Sequence, residues 1–202
     1  MIGVIAIAIS IIALIFSLLK DFIIPCFQKP KLKFKFENDI PFRRFTTSHT
    51  RSCFLRIRVR NVGKTPALNC RCQILSIEKD NEIYGDYTGC PVRWASRPEK
   101  DVNPLDRERL EIGQGESEFL DTATANYCDE KIHLCQYHNE GIGTPIELEP
   151  NDYNVVIIVS GSNFRPYVLS FRITKTNEKN PDGLKGIELN ILRKKYQRNY
   201  LE

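Results

Sequence analysis

The stretch 55-LRIRVRNVGKTPALNCRCQI-74 decides the fold of this chain. Basic and apolar residues alternate in its first half, which predicts a strand with one buried face and one solvent-exposed face. The solvent-exposed face is a basic row of Arg56, Arg58 and Arg60. After the turn formers of NVGKTP, a second strand is predicted. Its buried face is expected to consist of Leu68, Cys70, Cys72 and Ile74.

The same two-residue period recurs along the rest of the chain, which predicts an all-β protein. The further strand candidates are KLKFKFE (31–37), SEFLDTATANY (117–127), KIHLCQY (131–137) and the hairpin YNVVIIVSGSNFRPYVLSFRIT (153–174). The stretch Tyr84–Asp106 is rich in Gly and Pro, so we expect a long loop around a short strand, with Trp94 in the core. About seven short strands with turn signals between them predict an antiparallel, immunoglobulin-like β-sandwich.

Two motifs carry a resemblance to a known family. LRIRVRNVGKTPALNCRCQI resembles the V-x-N-x-G-x-x-x-A-x-N pattern of adhesion-type and CARDB-like immunoglobulin-fold domains. LEIGQGESEFLD is similar to the hydrophobic-Gly-x-Gly-Glu step that precedes a strand in these domains. The resemblance implies a sandwich that serves as a stalk or interaction module in prokaryotic membrane-anchored proteins. It implies no catalytic residue.

The chain begins with an apolar segment, MIGVIAIAISIIALIFSLLKDFIIPCF. As a helix, Ile2 to Leu19 would extend about 27 Å, close to the hydrocarbon thickness of a bilayer. A cleaved signal peptide is the alternative, but it would need a basic residue before the apolar run. We therefore expect a transmembrane anchor at 1–24 and a linker at 25–30. The sandwich should then occupy 31–178 and a basic C-terminal tail 179–202.

Basic residues follow the apolar segment and none precedes it, which sets the expected orientation. The flanking lysines are Lys20, Lys29, Lys31, Lys33 and Lys35. Since basic flanks stay on the cytoplasmic side, we expect a single-pass protein of the plasma membrane with a cytoplasmic domain. The odd cysteine count of seven is typical of reduced thiols rather than of a disulfide framework.

Small residues recur on one face of the apolar segment. They are Gly3, Ala6, Ser10, Ala13 and Ser17. Small residues let helix backbones approach closely in lipid, so this face could join copies of the chain into a homo-oligomer. An oligomeric membrane effector or channel accessory is therefore one alternative function.

The formal net charge is +4, and two basic rows contribute to it. Lys31, Lys33 and Lys35 form one row, and the arginines of 55–60 form the other. In a sandwich of this type the two strands often neighbour each other, so something must offset their like charges. Three possibilities are open: the chain's own carboxylates at Glu116, Glu118 and Asp121, anionic lipid headgroups, or an acidic protein partner. The charges would also suit a nucleic acid, but we do not expect one.

One cluster has metal-ligand chemistry: Cys128, His133, Cys135 and His138 lie within eleven residues. Cysteine and histidine are the usual zinc ligands, although this spacing lacks paired C-x-x-C knuckles. A hairpin with one core thiol and solvent-facing histidines is the simpler interpretation, so zinc binding is kept as an alternative. No cofactor and no metal are expected.

The chain contains no hydrolase elbow, phosphate loop or dinucleotide-binding fingerprint, so we do not expect an enzyme. Our sequence-based hypothesis is a membrane-tethered, non-catalytic interaction module.

Overall fold

A computed structural model describes residues 2–20, 28–37, 39–46, 52–97, 108–126, 131–135, 146–179 and 185–196. These residues form one α-helix and thirteen strands. The elements are α1 (Ile2–Leu18), β1 (Leu32–Lys35), β2 (Arg43–Thr46), β3 (Ser52–Asn61), β4 (Ala67–Lys79), β5 (Glu82–Ile83), β6 (Arg93–Trp94), β7 (Leu110–Ile112), β8 (Ser117–Asn126), β9 (Ile132–Leu134), β10 (Glu147–Leu148), β11 (Tyr153–Ser160), β12 (Tyr167–Lys179) and β13 (Lys185–Tyr196).

The strands form two sheets, and every strand pair is antiparallel. The first sheet has the order β1-β3-β8-β9-β10, with β2 beside β3 and β6 beside β8. The second sheet has the order β13-β12-β11-β4-β5, with β7 beside β4. The predicted all-β, antiparallel architecture is therefore confirmed.

The inward-facing rows of the two sheets share one hydrophobic core. Leu55, Ile57 and Val59 of β3 are fully buried, as their alternation with arginine predicted. Each aliphatic side chain removed from water contributes roughly 1.5–3 kcal/mol before ordering costs. Tyr167 of β12 joins the sheets, because its hydroxyl accepts the Leu32 N–H at 3.0 Å.

Trp94 lies in the core, as predicted. It is fully buried, and its indole N–H donates to the Glu108 carbonyl at 3.2 Å. This bond satisfies the one polar group of a large apolar side chain. The end of the predicted loop, residues 98–106, lies outside the described residues.

The prediction that Leu68 belongs to the core face was wrong. The pairing of β4 with β7 shifts register between Ala67 and Cys70, where Asn69 has a φ of 53°. This irregularity turns Ala67 inward and leaves Leu68 36% exposed. The rest of that face is buried as predicted, namely Cys70, Cys72 and Ile74.

The prediction of a basic tail at 179–202 was also wrong for much of its length. Residues Lys185–Tyr196 form β13, which pairs along β12 at the edge of the second sheet. The tail contains an alternation of Ile187, Leu189 and Ile191, which its many charges obscured. Leu189 is fully buried. Residues 197–202 lie outside the described part of the chain.

Helix α1 spans 17 residues, and the side chains described from Ile7 to Lys20 are exposed. Among the described residues, no helix combines the length and apolar character that crossing a membrane requires. Residues 21–27, which hold the predicted end of the anchor and the start of the linker, lie outside the described part. The linker prediction also extended too far, because Pro30 is buried against the sandwich.

Candidate functional site: the basic face of the first sheet

The structure brings the two predicted basic rows together. β1 pairs with β3 so that Lys33 lies opposite Arg60 and Lys35 opposite Arg58. Because the intervening residues point into the core, these side chains all lie on the outer surface of the first sheet. We call this surface the basic face. It consists of Lys33, Lys35, Arg56, Arg58, Arg60 and Arg93.

One buried carboxylate lies within this surface. Asp121 is 2% exposed and stands between arginines from two neighbouring strands. Its Oδ1 accepts from Arg56 Nε at 2.6 Å, and its Oδ2 accepts from Arg93 Nη2 at 2.8 Å. Charge-assisted hydrogen bonds of this length are roughly twice as strong as neutral ones. Asp121 therefore neutralises part of the face from within.

A β-bulge directs Asp121 to this position. The register of β3 with β8 shifts between Leu55 and Arg56, so Thr122 is an extra residue on β8. Thr122 is buried, and its hydroxyl donates to the Leu55 carbonyl at 2.9 Å. Bulges commonly redirect a side chain in this way, and this bulge restores the core-facing pattern at Ala123.

Aromatic rings support the centre of the basic face. Phe42 is 2% exposed and makes edge contacts with Phe36 and Phe119, with ring centroids 6.2 and 5.9 Å apart. Lys35 Nζ lies 5.9 Å and Arg58 Cζ 5.5 Å from the centroid of the Phe42 ring. These distances fall within the range of cation–π attraction. The Phe42 ring therefore restricts the side chains of Lys35 and Arg58 without neutralising their positive charge.

Several charges of the face have no carboxylate partner within the described part of the chain. Lys35 pairs with Glu37, but Lys33, Arg58 and Arg60 form no ion pair there. Arg60 Nε donates to the Gly115 carbonyl at 3.3 Å, which leaves the charge of the guanidinium unneutralised by that bond. Positive charge therefore remains to attract an anion.

The predicted internal neutralisation is thus correct for Asp121 only. The Glu116 carboxylate accepts the Gly113 N–H at 3.0 Å, inside its own turn. Glu118 lies in register with Val59 rather than with an arginine.

A face of this kind can bind extended anionic ligands. Side chains on neighbouring strands are about 5 Å apart, and alternate residues along one strand are about 7 Å apart. Arginine binds carboxylates through two parallel hydrogen bonds, and a sheet holds such groups at fixed spacing. The buried Asp121 is already engaged by two arginines.

The zinc alternative is only half within the described residues. His133 lies on β9 opposite Thr124 and Glu147, and the Cys135 N–H donates to the Thr122 carbonyl at 3.2 Å. Cys128 and His138 lie outside the described part. Within that part, no three His, Cys, Asp or Glu side chains are grouped to hold a metal ion. The zinc hypothesis stays a prediction.

Cys70 and Cys72 are packed in the hydrophobic core, as predicted. Burial raises the pKa of the Cys70 thiol to about 12, and full burial also raises the pKa of Cys72. A protonated thiol is a poor nucleophile and a poor metal ligand. The cysteines within the described part are all free.

Sequence reasoning missed two residues of the site, Arg93 and Phe42. Arg93 lies on the two-residue strand β6, which is too short to show periodicity. Phe42 precedes β2 in a turn, and nothing local in PFRRF indicates which surface it covers.

No family model, curated protein or solved structure matches the chain. The resemblance to CARDB-like domains therefore stays a prediction, and the functional argument depends on the fold and the basic face.

Proposed function

We propose that this chain is a membrane-tethered, non-catalytic interaction module. In this proposal α1 holds the domain at the plasma membrane, with the domain on the cytoplasmic side, and the basic face binds an acidic segment of a partner protein. We further propose that the sandwich is immunoglobulin-like, as the sequence motifs suggest. The observation that carries the proposal is the outward row of Lys33, Arg58 and Arg60, which have no carboxylate partner among the described residues.

The tether is supported by the composition and exposure of α1. All its residues are apolar or small. Large side chains such as Ile7, Leu14 and Phe16 are 63%, 61% and 68% exposed. Apolar side chains gain free energy when they leave water. The helix is short for a bilayer core, and local thinning of the bilayer accommodates such a mismatch at a modest cost.

The acidic partner is supported by the chemistry of the basic face. Lysine and arginine repeat at strand spacing across β1 and β3, which suits carboxylates repeated along an extended chain. Phe42 holds Lys35 and Arg58 from below, which limits the entropy that these side chains lose on binding.

A binding measurement tests this proposal. The full chain in zwitterionic nanodiscs is titrated into a fluorescent peptide of alternating glutamate and serine, and anisotropy is recorded. Changing Lys33, Arg58 and Arg60 to alanine should weaken binding by about 10- to 150-fold, since each of the three charges contributes about 0.5–1 kcal/mol. A double Lys79→Ala, Arg172→Ala variant on the second sheet is the control.

Two results would overturn the proposed binding face. Affinity that is unchanged in the triple variant would place the contact elsewhere. Losses of binding free energy that are equal per removed charge in the triple variant and the control would show that only overall charge matters. Circular dichroism confirms that each variant is folded.

A further inference from the structure

Loops from both sheets are joined at one end of the sandwich by a buried asparagine. Asn61 is fully buried, and its side chain makes four hydrogen bonds. Its Oδ1 accepts from the N–H groups of Lys31 at 3.2 Å and Gly63 at 2.9 Å. Its Nδ2 donates to the carbonyls of Thr65 at 2.8 Å and Ile112 at 3.0 Å. This end of the sandwich is therefore a fixed surface.

The β11–β12 hairpin loop is attached to the same end. Ser162 N–H donates to the Leu68 carbonyl at 3.0 Å, and Asn163 Oδ1 accepts the Leu68 N–H at 3.0 Å. Asn163 Nδ2 also donates to the Pro66 carbonyl at 2.8 Å. We call the surface formed by residues 28–31, 62–66, 113–116 and 161–166, together with Leu68, the loop end.

The chain that arrives from α1 enters the domain at the loop end. The Thr65 hydroxyl donates to the Gln28 carbonyl at 2.5 Å, and Val62 N–H donates to the Lys31 carbonyl at 2.8 Å. Between Lys20, where the described helical segment stops, and Gln28 there are eight residue steps, which reach about 28 Å at most. If α1 lies in a bilayer, the loop end is the part of the domain that is held nearest to it.

The exposed side chains of the loop end combine apolar and basic character. Val62 is 39% exposed and Leu68 is 36% exposed. Lys29, Lys64 and Arg165 are exposed around them. Lipid-contacting surfaces commonly combine apolar groups that enter the headgroup region with basic groups that attract anionic phosphates.

Two carboxylates belong to the same region. The Glu116 carboxylate accepts a hydrogen bond from the Gly113 N–H at 3.0 Å, and Glu111 is exposed on β7. With Lys31 the loop end has four cations, which exceed these two acidic groups, and the neighbouring Arg60 of the basic face adds to the excess.

We propose that the loop end contacts the surface of the bilayer, with Val62 and Leu68 in the headgroup region and Lys64 and Arg165 against anionic phosphates. This contact rests on the proposed membrane tether, and it deepens that proposal by specifying the orientation of the domain relative to the bilayer. The basic face, which runs along the strands away from the loop end, is then turned sideways and is accessible to a partner.

Depth-dependent fluorescence quenching tests this contact on the full chain in vesicles. A polarity-sensitive fluorophore is attached to a single cysteine at Leu68→Cys or, as the control, at Ile83→Cys. Ile83 is apolar and 77% exposed, and it pairs with Glu78 about 33 Å along β4 from Leu68. The reactive background is removed by changing Cys26, Cys90, Cys128 and Cys135 to serine, while the buried core cysteines remain. The vesicles contain equal parts phosphatidylcholine and phosphatidylserine, with a quencher on the lipid headgroup.

We expect quenching at Leu68→Cys and none at Ile83→Cys. Adding Lys64→Gln and Arg165→Gln should reduce the quenching and shift the ratio of contacting to free domain by roughly thirtyfold, since each basic residue contributes about 1 kcal/mol of attraction to an anionic surface. Pure phosphatidylcholine vesicles should likewise reduce the quenching. Together these results would support the loop end as a lipid contact that depends on charge.

The failures of the two proposals are distinguishable. A chain that floats with vesicles in high salt, but shows no quenching at Leu68→Cys, would overturn the loop-end contact and leave the tether intact. Equal quenching at both sites would also overturn the contact. A chain that high salt releases from the vesicles would overturn the tether, and the loop-end contact with it.

Discussion

Replacement of Asp121 by asparagine should destabilise the sandwich strongly, although the change removes no atom of the side-chain skeleton. The carboxylate is 2% exposed and neutralises Arg56 and Arg93, whose side chains are each 20% exposed. Each charge-assisted hydrogen bond to such a group contributes about 1.5–3 kcal/mol, and the amide of asparagine can replace only one of the two, as a weaker neutral bond. Breaking a buried ion pair typically costs about 3–5 kcal/mol. Because both arginines retain some water, we expect a loss near the lower limit, about 3 kcal/mol.

The only tryptophan of the chain reports on this change directly. Trp94 is fully buried and pairs in register with Leu120, next to Asp121. Its fluorescence on heating should show a transition about 6–12 °C lower in Asp121→Asn, as a loss of about 3 kcal/mol predicts for a domain of this size.

An exposed ion pair supplies the control for the same chemical change. Lys131 and Glu147 are 2.6 Å apart, with side chains that are 40% and 41% exposed. Glu147→Gln should therefore change stability by less than about 1 kcal/mol. If Asp121→Asn shifts the transition no more than Glu147→Gln does, the argument for a buried counter-ion within the basic face is wrong.

Three further predictions address the loop end, the core and α1. Gly63→Ala should lower the thermal midpoint by several degrees, since the added Cβ would lie 2.6 Å from the Pro30 Cα, and backbone cannot move aside cheaply. The free energy of unfolding should be highest below pH 9 and should fall as the pH rises towards 12. Burial raises the pKa of Cys70 from 9.0 to about 12. Burial, together with the neighbouring Tyr84, raises the pKa of Tyr153 from 10.0 to about 12. In urea titrations Tyr153→Phe should flatten this decline above pH 10, and a flat profile in the wild type would contradict the assignment. Ala13→Leu should weaken self-association in a membrane two-hybrid reporter, because it fills the small-residue face of α1, and an unchanged signal would count against a homo-oligomer built on that face.

Local patterning was sufficient to predict the long strands and one of their pairings. In β3, arginine residues alternate with Leu55, Ile57 and Val59. Such a strand is stable only with its aliphatic face towards the core and its arginine face towards solvent. The expected proximity of the lysine and arginine rows followed from the fold class, and the register of β1 with β3 confirms it.

The features that sequence reasoning missed depend on contacts between distant residues. β13 was hidden because charged residues interrupt its apolar alternation, and its place at a sheet edge tolerates them. Leu68 turned outward because of a register shift at Asn69, and no propensity signals such a shift. Arg93 and Asp121 are separated by 28 residues, so only the folded sheet brings them into contact.

The central claim, that α1 tethers the domain to a bilayer, is tested most directly by flotation of the full chain with lipid vesicles in high salt. High salt screens surface charges and leaves apolar insertion unaffected. We expect the wild type to float, and the control Ile83→Lys to float with it. The double variant Ile7→Lys, Ile11→Lys should stay at the bottom of the gradient, since each lysine adds about 2.5–3.5 kcal/mol to insertion. Flotation of the double variant, or release of the wild type by salt, would contradict the account.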